Sequence, residues 1–180
     1  MDTAQVDRQI FMVGTGGQGI LLLARALAEI AVRQGYPVIA SETHGMAMRG
    51  GTVTANLKIG SFASPLIPAG SADILIGLDA AESLSLLHML KTGGIAAVNA
   101  PAKDAFDFTV DATGLALAEG MPGSVNMIML GFVLKLLGIR LDEAHQVMQD
   151  ISPKRSLADN IKAIAIGYTQ MQQHDAQGGQ

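Results

Sequence analysis

The sequence predicts one α/β domain in which helices cover both faces of a mostly parallel sheet, in three α/β/α layers. Three observations indicate this fold. The chain opens with an apolar strand, a glycine-rich turn and an amphipathic helix. Residues 73–78 form a near-continuous apolar run, as expected for a strand that is buried on both faces. The 180 residues suit a single core, so we expect one domain over 1–173 and a polar, disordered tail over 174–180.

The first unit is a strand, a glycine loop, a helix and a second strand. Residues 9–13 are apolar and read as the first strand. Residues 20–34 repeat apolar side chains at helical spacing, and Gly35 ends that helix. The second strand is predicted at 38–41, and a third at 52–59 follows with no helix between them, which departs from simple alternation.

The later elements are predicted mainly from helix caps and apolar runs. Strands are expected at 73–78, 95–98 and 106–110, and helices begin at Asp79, Asp111, Ser124, Asp142 and Pro153. Glu82 stands three residues after Asp79, in the position of a capping-box partner. The segment 124–137 is apolar on most sides, so we expect it to be buried in the core or against another subunit.

Composition excludes several classes of function. Charged residues make up only 16% of the chain, below the usual quarter, which indicates that part of the surface is hidden in an assembly. The net charge of −4 and the lack of a basic stripe argue against nucleic-acid binding. The absence of cysteine excludes disulfides, thiolate zinc sites, an all-cysteine iron–sulfur cluster and a cysteine nucleophile. We expect a cytoplasmic protein with no membrane segment, no metal site and no catalytic residue of its own.

The first candidate site is the glycine loop that follows the first strand. Gly14, Gly16 and Gly19 fit the G-x-G-x-x-G pattern, and Gly17 is extra. Thr15 and Gln18 complete this segment. Such loops bring backbone N–H groups at a helix N-terminus close to a phosphate, so the loop is a candidate cofactor-binding site. A tight turn that binds nothing is the alternative interpretation.

The second candidate site is the long loop between the second and third strands, because a plain turn needs far fewer residues. Its candidate partner- or ligand-binding residues are Glu42, Thr43, His44, Met46, Arg49, Gly50 and Gly51. Glu42 stands near the place of a ribose-binding acid, but pairing with Arg49 or a partner contact is favoured. His44 lacks a second ligand at metal spacing, so a hydrogen-bonding role is favoured. Arg49 fits a local ion pair, a solvated charge or a grip on an anion, and Met46 fits an adaptable contact or the core.

Polar side chains elsewhere could join these loops. Asn126 lies at the start of the apolar helix, where a buried amide must find partners; ordinary backbone satisfaction is the alternative to a site role. Asp79, Asn99 and Asp111 each follow a predicted strand, where parallel sheets form their ligand crevice. Capping explains Asp79 and Asp111 well enough.

These motifs together resemble a known family. Gly14-Thr15-Gly16-Gly17-Gln18-Gly19, Glu42-Thr43-His44-Gly45-Met46 with Arg49-Gly50-Gly51, and Asn126-Met127 with Leu130-Gly131 follow its order and spacing. The chain resembles the gamma subunit or domain of 2-oxoacid:ferredoxin oxidoreductases, over about 8–168. The Glu-Thr-His-Gly version of the loop looks most like the beta subunit of indolepyruvate ferredoxin oxidoreductase. The resemblance implies a Rossmann-like domain.

The resemblance also implies a division of labour. Such complexes oxidatively decarboxylate a 2-oxo acid, such as pyruvate or indolepyruvate, to an acyl-coenzyme A and pass electrons to ferredoxin. Thiamine diphosphate and iron–sulfur clusters would lie on partner subunits. This chain would supply subunit contacts and a contact to coenzyme A, and alone it would be inactive, with a homodimer allowed in isolation. The alternatives are a free-standing dinucleotide-binding oxidoreductase and an interaction module that binds no small molecule.

Overall fold

A computed structural model describes residues 7–44, 51–101 and 106–177. The strands are β1 (Arg8–Thr15), β2 (Val38–His44), β3 (Thr52–Ile59), β4 (Ala72–Gly77), β5 (Leu90–Asn99) and β6 (Phe108–Val110). The helices are α1 (Ile20–Arg33), α2 (Ala80–Ser85), α3 (Ala112–Ala118), α4 (Val125–Leu136), α5 (Leu141–Ile151) and α6 (Leu157–Gln177). Short 3₁₀ turns stand at Leu87–Met89 and Pro122–Ser124.

The six strands form one sheet in the order β2-β3-β1-β4-β5-β6. Only β3 runs against the others, because it pairs antiparallel with both β1 and β2. The pairs β1–β4, β4–β5 and β5–β6 are parallel. The predicted α/β domain with a mostly parallel sheet is confirmed, and the third strand, predicted without a preceding helix, is the one that runs backwards.

The two faces of the sheet are covered unequally. Strand side chains alternate between faces, so Ile10 and Met12 point to one face and Phe11 and Val13 to the other. On the first face, residues of α1, α3, α4, α5 and α6 form one continuous core with the strands. Within the described residues, the second face is covered by α2, the turn at Leu87–Met89 and neighbouring loop residues that include Ile67.

Helix α4 is the most deeply placed helix, as the sequence predicts. Every residue from 126 to 134 is buried. It crosses α6 at Gly131 and Gly167. A Cβ on Gly131 would overlap the carbonyl oxygen of Ile164, and one on Gly167 would overlap that of Ile128. The two backbones can approach this closely only because both positions lack a side chain.

Two predicted helix starts are wrong. Helix α5 begins at Leu141 with Arg140 at its N-cap, so Asp142 lies inside the first turn and does not cap it. Its carboxylate accepts hydrogen bonds from Arg140, which lower the pKa of Asp142. Helix α6 begins at Leu157, whereas Pro153 lies in the turn before it.

Two other boundaries also differ. Strand β5 begins at Leu90, so it includes the Gly93-Gly94 pair that the sequence places ahead of the strand. Helix α6 is described to Gln177, into the segment predicted as a disordered tail, and 178–180 lie outside the described residues. The domain limit at 173 stays a prediction. In the described part of the chain, no helix combines the length and the apolar character needed to cross a membrane.

Candidate functional site

The candidate site lies at the carboxyl edge of the sheet, where β1, β2, β4, β5 and β6 all end. The glycine loop leaves β1 at this edge, and β3 begins there because it runs in the opposite direction. Parallel α/β sheets place their ligand crevice at this edge. Both loops that the sequence singles out therefore start from the same side of the domain.

The two loops are in direct contact where the structure describes them. The N–H of Gly16 donates to the carbonyl oxygen of Gly51 at 3.0 Å. Thr15 and Thr52 are paired in the β1–β3 ladder immediately beside this bond. The end of the long loop is thus fixed to the middle of the glycine loop by backbone bonding, a juxtaposition that spacing along the chain could not reveal.

Gln18 holds the glycine loop in shape from within. Its Oε1 accepts the N–H of Thr15 at 2.8 Å, and its Nε2 points to the carbonyl oxygen of Leu78 at 3.5 Å. The same carbonyl accepts Nδ2 of Asn99 at 3.0 Å. A Cβ on Gly14 would lie 2.7 Å from Oε1 of Gln18, so a side chain at position 14 would displace the Gln18 amide.

Asn126 supports the end of the loop. It is 6% exposed, and its Nδ2 donates to the carbonyl oxygen of Gly19 at 3.2 Å. Gly19 has a positive φ of 81°, and a Cβ there would overlap the Asn126 amide. Asn126 therefore contacts the glycine loop through ordinary backbone satisfaction, the alternative that the sequence left open, and its role in binding a partner or ligand stays a prediction.

Gly17 is the open point of the loop. Its φ is +95°, and nothing lies within 4 Å of the place that a Cβ would occupy. Within the described residues, no hydrogen bond satisfies the N–H of Gly17 or Gly19, and no side chain caps α1. These donors and the N-terminus of α1 form an approachable, partly positive surface.

Two acidic side chains flank this surface, and both are engaged. Oδ1 of Asp79 accepts the N–H of Glu82 at 3.0 Å, as the predicted cap requires. Glu82 does not complete the capping box, because its Oε2 accepts the hydroxyl of Thr52 at 2.7 Å. This bond ties α2 to the first residue of β3, beside the glycine loop.

Thr52, Thr113 and the carbonyl of Leu78 also contribute to the site, and none of them is among the predicted site residues. Asn99 binds Thr113 through both ends of its amide, at 2.9 Å and 3.2 Å, besides its bond to Leu78. A polar residue next to a strand end could have indicated these positions. Of the residues in this network, only Asn99 was selected on that ground. Asp111 caps α3 through the N–H of Gly114, as expected.

The second loop is described only at its two ends. The predicted end of the second strand at residue 41 is wrong, because Glu42, Thr43 and His44 continue β2 and pair with Ala55, Thr54 and Val53. Met46, Arg49 and Gly50 lie outside the described residues, so their predicted roles stay predictions.

Glu42 is not placed as in a simple dinucleotide fold. It is exposed and has no ion pair among the described residues. Strand β3 separates β2 from β1, which moves Glu42 away from the glycine loop by one strand spacing, about 4.8 Å. A ribose-binding acid belongs on the strand next to β1.

The described part of the site provides backbone hydrogen-bond donors at the carboxyl edge of the sheet. Across 7–44, 51–101 and 106–177, no three His, Asp or Glu side chains are grouped so as to hold a metal ion. The site is therefore suited to binding an anionic group or a partner surface.

Comparison with known proteins identifies the family. The family model described as pyruvate ferredoxin/flavodoxin oxidoreductase matches residues 9–170. Indolepyruvate oxidoreductase subunit IorB of Methanothermobacter thermautotrophicus is 30% identical, over 91% of this chain and 97% of the relative. IorB of Archaeoglobus fulgidus is 28% identical, over 89% of this chain and 94% of the relative.

A solved structure extends the likeness to the fold. The pyruvate oxidoreductase subunit PORC of Thermotoga maritima superposes with a TM-score of 0.75 at 27% identity, over 91% of this chain and 96% of that one. The match runs through the glycine loop, the β2–β3 region and α4. The chain belongs to the pyruvate ferredoxin/flavodoxin oxidoreductase family, as a gamma-type member.

Proposed function

We propose that this chain is a non-catalytic subunit of a 2-oxoacid:ferredoxin oxidoreductase complex, and that the carboxyl edge of its sheet faces the catalytic partner. The complex would convert a 2-oxo acid to an acyl-coenzyme A while reducing ferredoxin. Support comes from the relatives, which are named as subunits of indolepyruvate and pyruvate oxidoreductases. The low charged fraction of 16% also favours a chain that buries surface against a partner.

One hydrogen bond is the main support for placing the partner contact at the carboxyl edge. The bond from Gly16 to Gly51 joins the two segments at one edge. A partner that contacts one segment would therefore contact the other, and the pair offers a broader surface than either turn alone. Hydrogen bonds from Gln18 and Asn126 within the chain support the backbone of that surface, which favours preorganisation for binding.

The residues present fit a partner-borne catalytic centre. The chain has no cysteine, so an iron–sulfur cluster with four thiolate ligands must lie elsewhere in the complex. Thiamine diphosphate, bound on the partner, would supply the decarboxylation chemistry. This chain would cover part of the reaction chamber and exclude water from it.

The glycine loop also fits a contact to coenzyme A. The N–H groups of Gly17 and Gly19 stand free of bonds within the described residues, at an uncapped helix N-terminus. A phosphate group would gain hydrogen bonds and a favourable dipole there. Coenzyme A would accept the acyl group through its thiol, while the loop would only bind and orient its phosphates.

The competing proposal of a free dinucleotide-binding oxidoreductase shares the same loop. It requires a ribose contact from Glu42, which β3 holds one strand away from the loop. Calorimetric titration with NAD(H), NADP(H) and FAD distinguishes the two: we expect no heat of binding from the isolated chain.

The central experiment is coexpression with a thiamine-binding oxidoreductase chain from the same genome. We expect a stable complex by size-exclusion chromatography and acyl-coenzyme A formation that neither chain catalyses alone. The test of the edge is Gly17→Asn, because asparagine tolerates a positive φ and adds a side chain to the open point of the loop. We expect weaker assembly or a raised KM for coenzyme A.

The matched control is Gly35→Asn. Gly35 has a φ of +85° and equally open surroundings, but it lies at the other end of α1. If both variants assemble and turn over like the unaltered chain, the glycine loop is not part of the contact. If no complex forms with any thiamine-binding chain, the proposed function fails altogether.

A further inference from the structure

The two edges of the sheet differ in how they are protected. Strand β6 ends one edge with three residues, and a short strand offers little to a neighbour. Strand β2 ends the other edge with seven residues, paired with β3 in continuous register. It contains neither lysine nor proline, which commonly protect an edge strand from further pairing.

One hydrogen bond identifies the backbone groups of β2 that have no strand partner within the described residues. The N–H of Gly60 donates to the carbonyl oxygen of Pro37 at 2.8 Å, just beyond the β2–β3 ladder. Hydrogen-bonded pairs alternate along an antiparallel ladder, so residues 39, 41 and 43 bond inward to β3. The outward-facing backbone groups belong to Val38, Ala40, Glu42 and His44.

A groove runs beside this edge, between β2 and α1. Its volume is about 470 Å³, and its walls are mostly apolar. Leu21 on α1 lines it and is 38% exposed. Arg25 stands on the helix side and Glu42 on the strand side, and neither has an ion pair among the described residues. Among the described residues, one groove therefore carries a cation and an anion on opposite walls, neither of them in an ion pair.

We propose that β2 pairs antiparallel with β2 of a second copy of this chain about a two-fold axis, which makes one continuous sheet. Such an axis, perpendicular to the sheet, places both α1 helices on the same face. Each copy would then offer Arg25 to Glu42 of the other, so the groove is complementary to itself. A two-fold contact requires a surface that is complementary to itself, and this pair of charges meets that requirement.

The distance between the two α1 helices in such a dimer accounts for the groove in the single chain. Helix α1 packs over β3. Across the joined edges, the two β3 strands would stand three strand spacings apart, roughly 14 Å. Helices in direct contact lie only about 8–10 Å apart. The long side chains of Leu21 and Arg25 from both copies would fill this gap, which is the space that the grooves leave open.

The dimer does not depend on the proposed function, because it uses the lateral edge of the sheet and not the glycine loop. Sedimentation velocity of the purified chain over a concentration series tests it directly. We expect a reversible dimer. In hydrogen exchange, we expect the amides of Ala40 and Glu42 to become protected as the dimer forms.

The edge is tested by Ala40→Pro, which removes an outward N–H and leaves the β3 ladder intact. We expect the dimer dissociation constant to rise by about tenfold or more, which is ~1.4 kcal/mol per factor of ten. Circular dichroism checks that the monomer is still folded.

A charge exchange provides the second test, which does not alter the backbone. Arg25→Glu and Glu42→Arg should each weaken the dimer, because like charges then meet twice across the axis. The double variant should restore it. Asp159→Arg, on exposed α6 surface, matches the charge change of Glu42→Arg and should leave the dimer unaffected.

Two results would overturn the proposal. One is a chain that stays monomeric at all concentrations. The other is a dimer that survives both Ala40→Pro and the single charge variants. If Ala40→Pro instead weakens binding to the thiamine-binding chain, the edge is occupied by a segment of that partner and not by a second copy.

Discussion

Glycine serves opposite purposes at the α4–α6 crossing and in the loop after β1. At the crossing, Gly131 and Gly167 leave no room for a single methyl group, because the carbonyl of the facing helix occupies its place. In the loop, Gly17 has open space around it and is required only for its positive φ. The first pair allows two backbones to pack, and the loop glycine keeps a backbone accessible.

This difference shows what a glycine pattern can and cannot indicate. The G-x-G-x-x-G spacing is visible because it follows a strand and opens a helix. Gly131 and Gly167 are 36 residues apart in the sequence, and nothing local connects them. Loop glycines are therefore detected by their neighbours in the chain, whereas packing glycines are detected only by their neighbours in space.

The largest expected effect comes from Gly131→Ala. The added methyl group must displace the backbone of α6 from a buried crossing, so we expect a loss of about 3 kcal/mol or more of unfolding free energy. For a domain of this size, the midpoint of thermal unfolding would fall by roughly 10 °C. Urea and thermal unfolding measure it.

Gly123→Ala is the control for that variant. Gly123 is exposed and has nothing within 4 Å of its Cβ position, so its unfolding free energy should change by no more than about 0.5 kcal/mol. Equal stability of the two variants would mean that α4 and α6 do not cross at Gly131.

Gly19→Ala should rank second, since it combines both kinds of constraint. The alanine is strained at positive φ and overlaps the amide of Asn126, so we expect a loss of about 2–3 kcal/mol. In an Asn126→Ala background the overlap disappears, and the cost of Gly19→Ala should shrink by about 1 kcal/mol. Urea unfolding measures this double-mutant cycle. If the two losses are additive, Asn126 is not coupled to Gly19.

Gln18→Ala should have a moderate effect. It leaves the half-buried N–H of Thr15 without its acceptor, at a cost of about 1–1.5 kcal/mol. Hydrogen exchange at Thr15 should accelerate at the same time. Gln34→Ala removes an exposed side-chain bond to Glu143 and should cost no more than about 0.5 kcal/mol. If the two variants are equally stable, Gln18 does not hold the loop.

Gly17→Asn should have the smallest effect on stability, below about 1 kcal/mol, because only the backbone conformation is constrained there. Gly17→Ala should cost more than Gly17→Asn, since alanine tolerates positive φ less well. Chemical denaturation of both variants gives the order. The reverse order would indicate that side-chain space, and not backbone conformation, limits this position.

Much of the architecture follows from local signals. The apolar spacing of α1, the buried run of β4 and the caps at Asp79 and Asp111 all have the predicted structure. The predicted start of α6 at Pro153 was wrong, because a proline that follows a serine is a common signal for the first turn of a helix. Ser156, which precedes the helix with Asp159 three residues on, carried the competing signal.

The site was less predictable because it depends on long-range pairing. Gly16 and Gly51 were both candidates, but their contact requires β3 to insert between β1 and β2. Asn126 reaches Gly19 from 107 residues away. Spacing indicates which residues have unusual backbone or polar chemistry, and only strand order decides which of them meet.

The central position of β1 has a consequence for the synthesis of the protein. Both of its neighbours, β3 and β4, are translated after it, and the residues between include all of α1. A nascent chain that has just left the ribosome with β1 and α1 therefore carries a hydrophobic strand without a partner. The sheet can close around β1 only after β2, β3 and β4 have emerged, so β1 stays without a strand partner while all the elements between are translated.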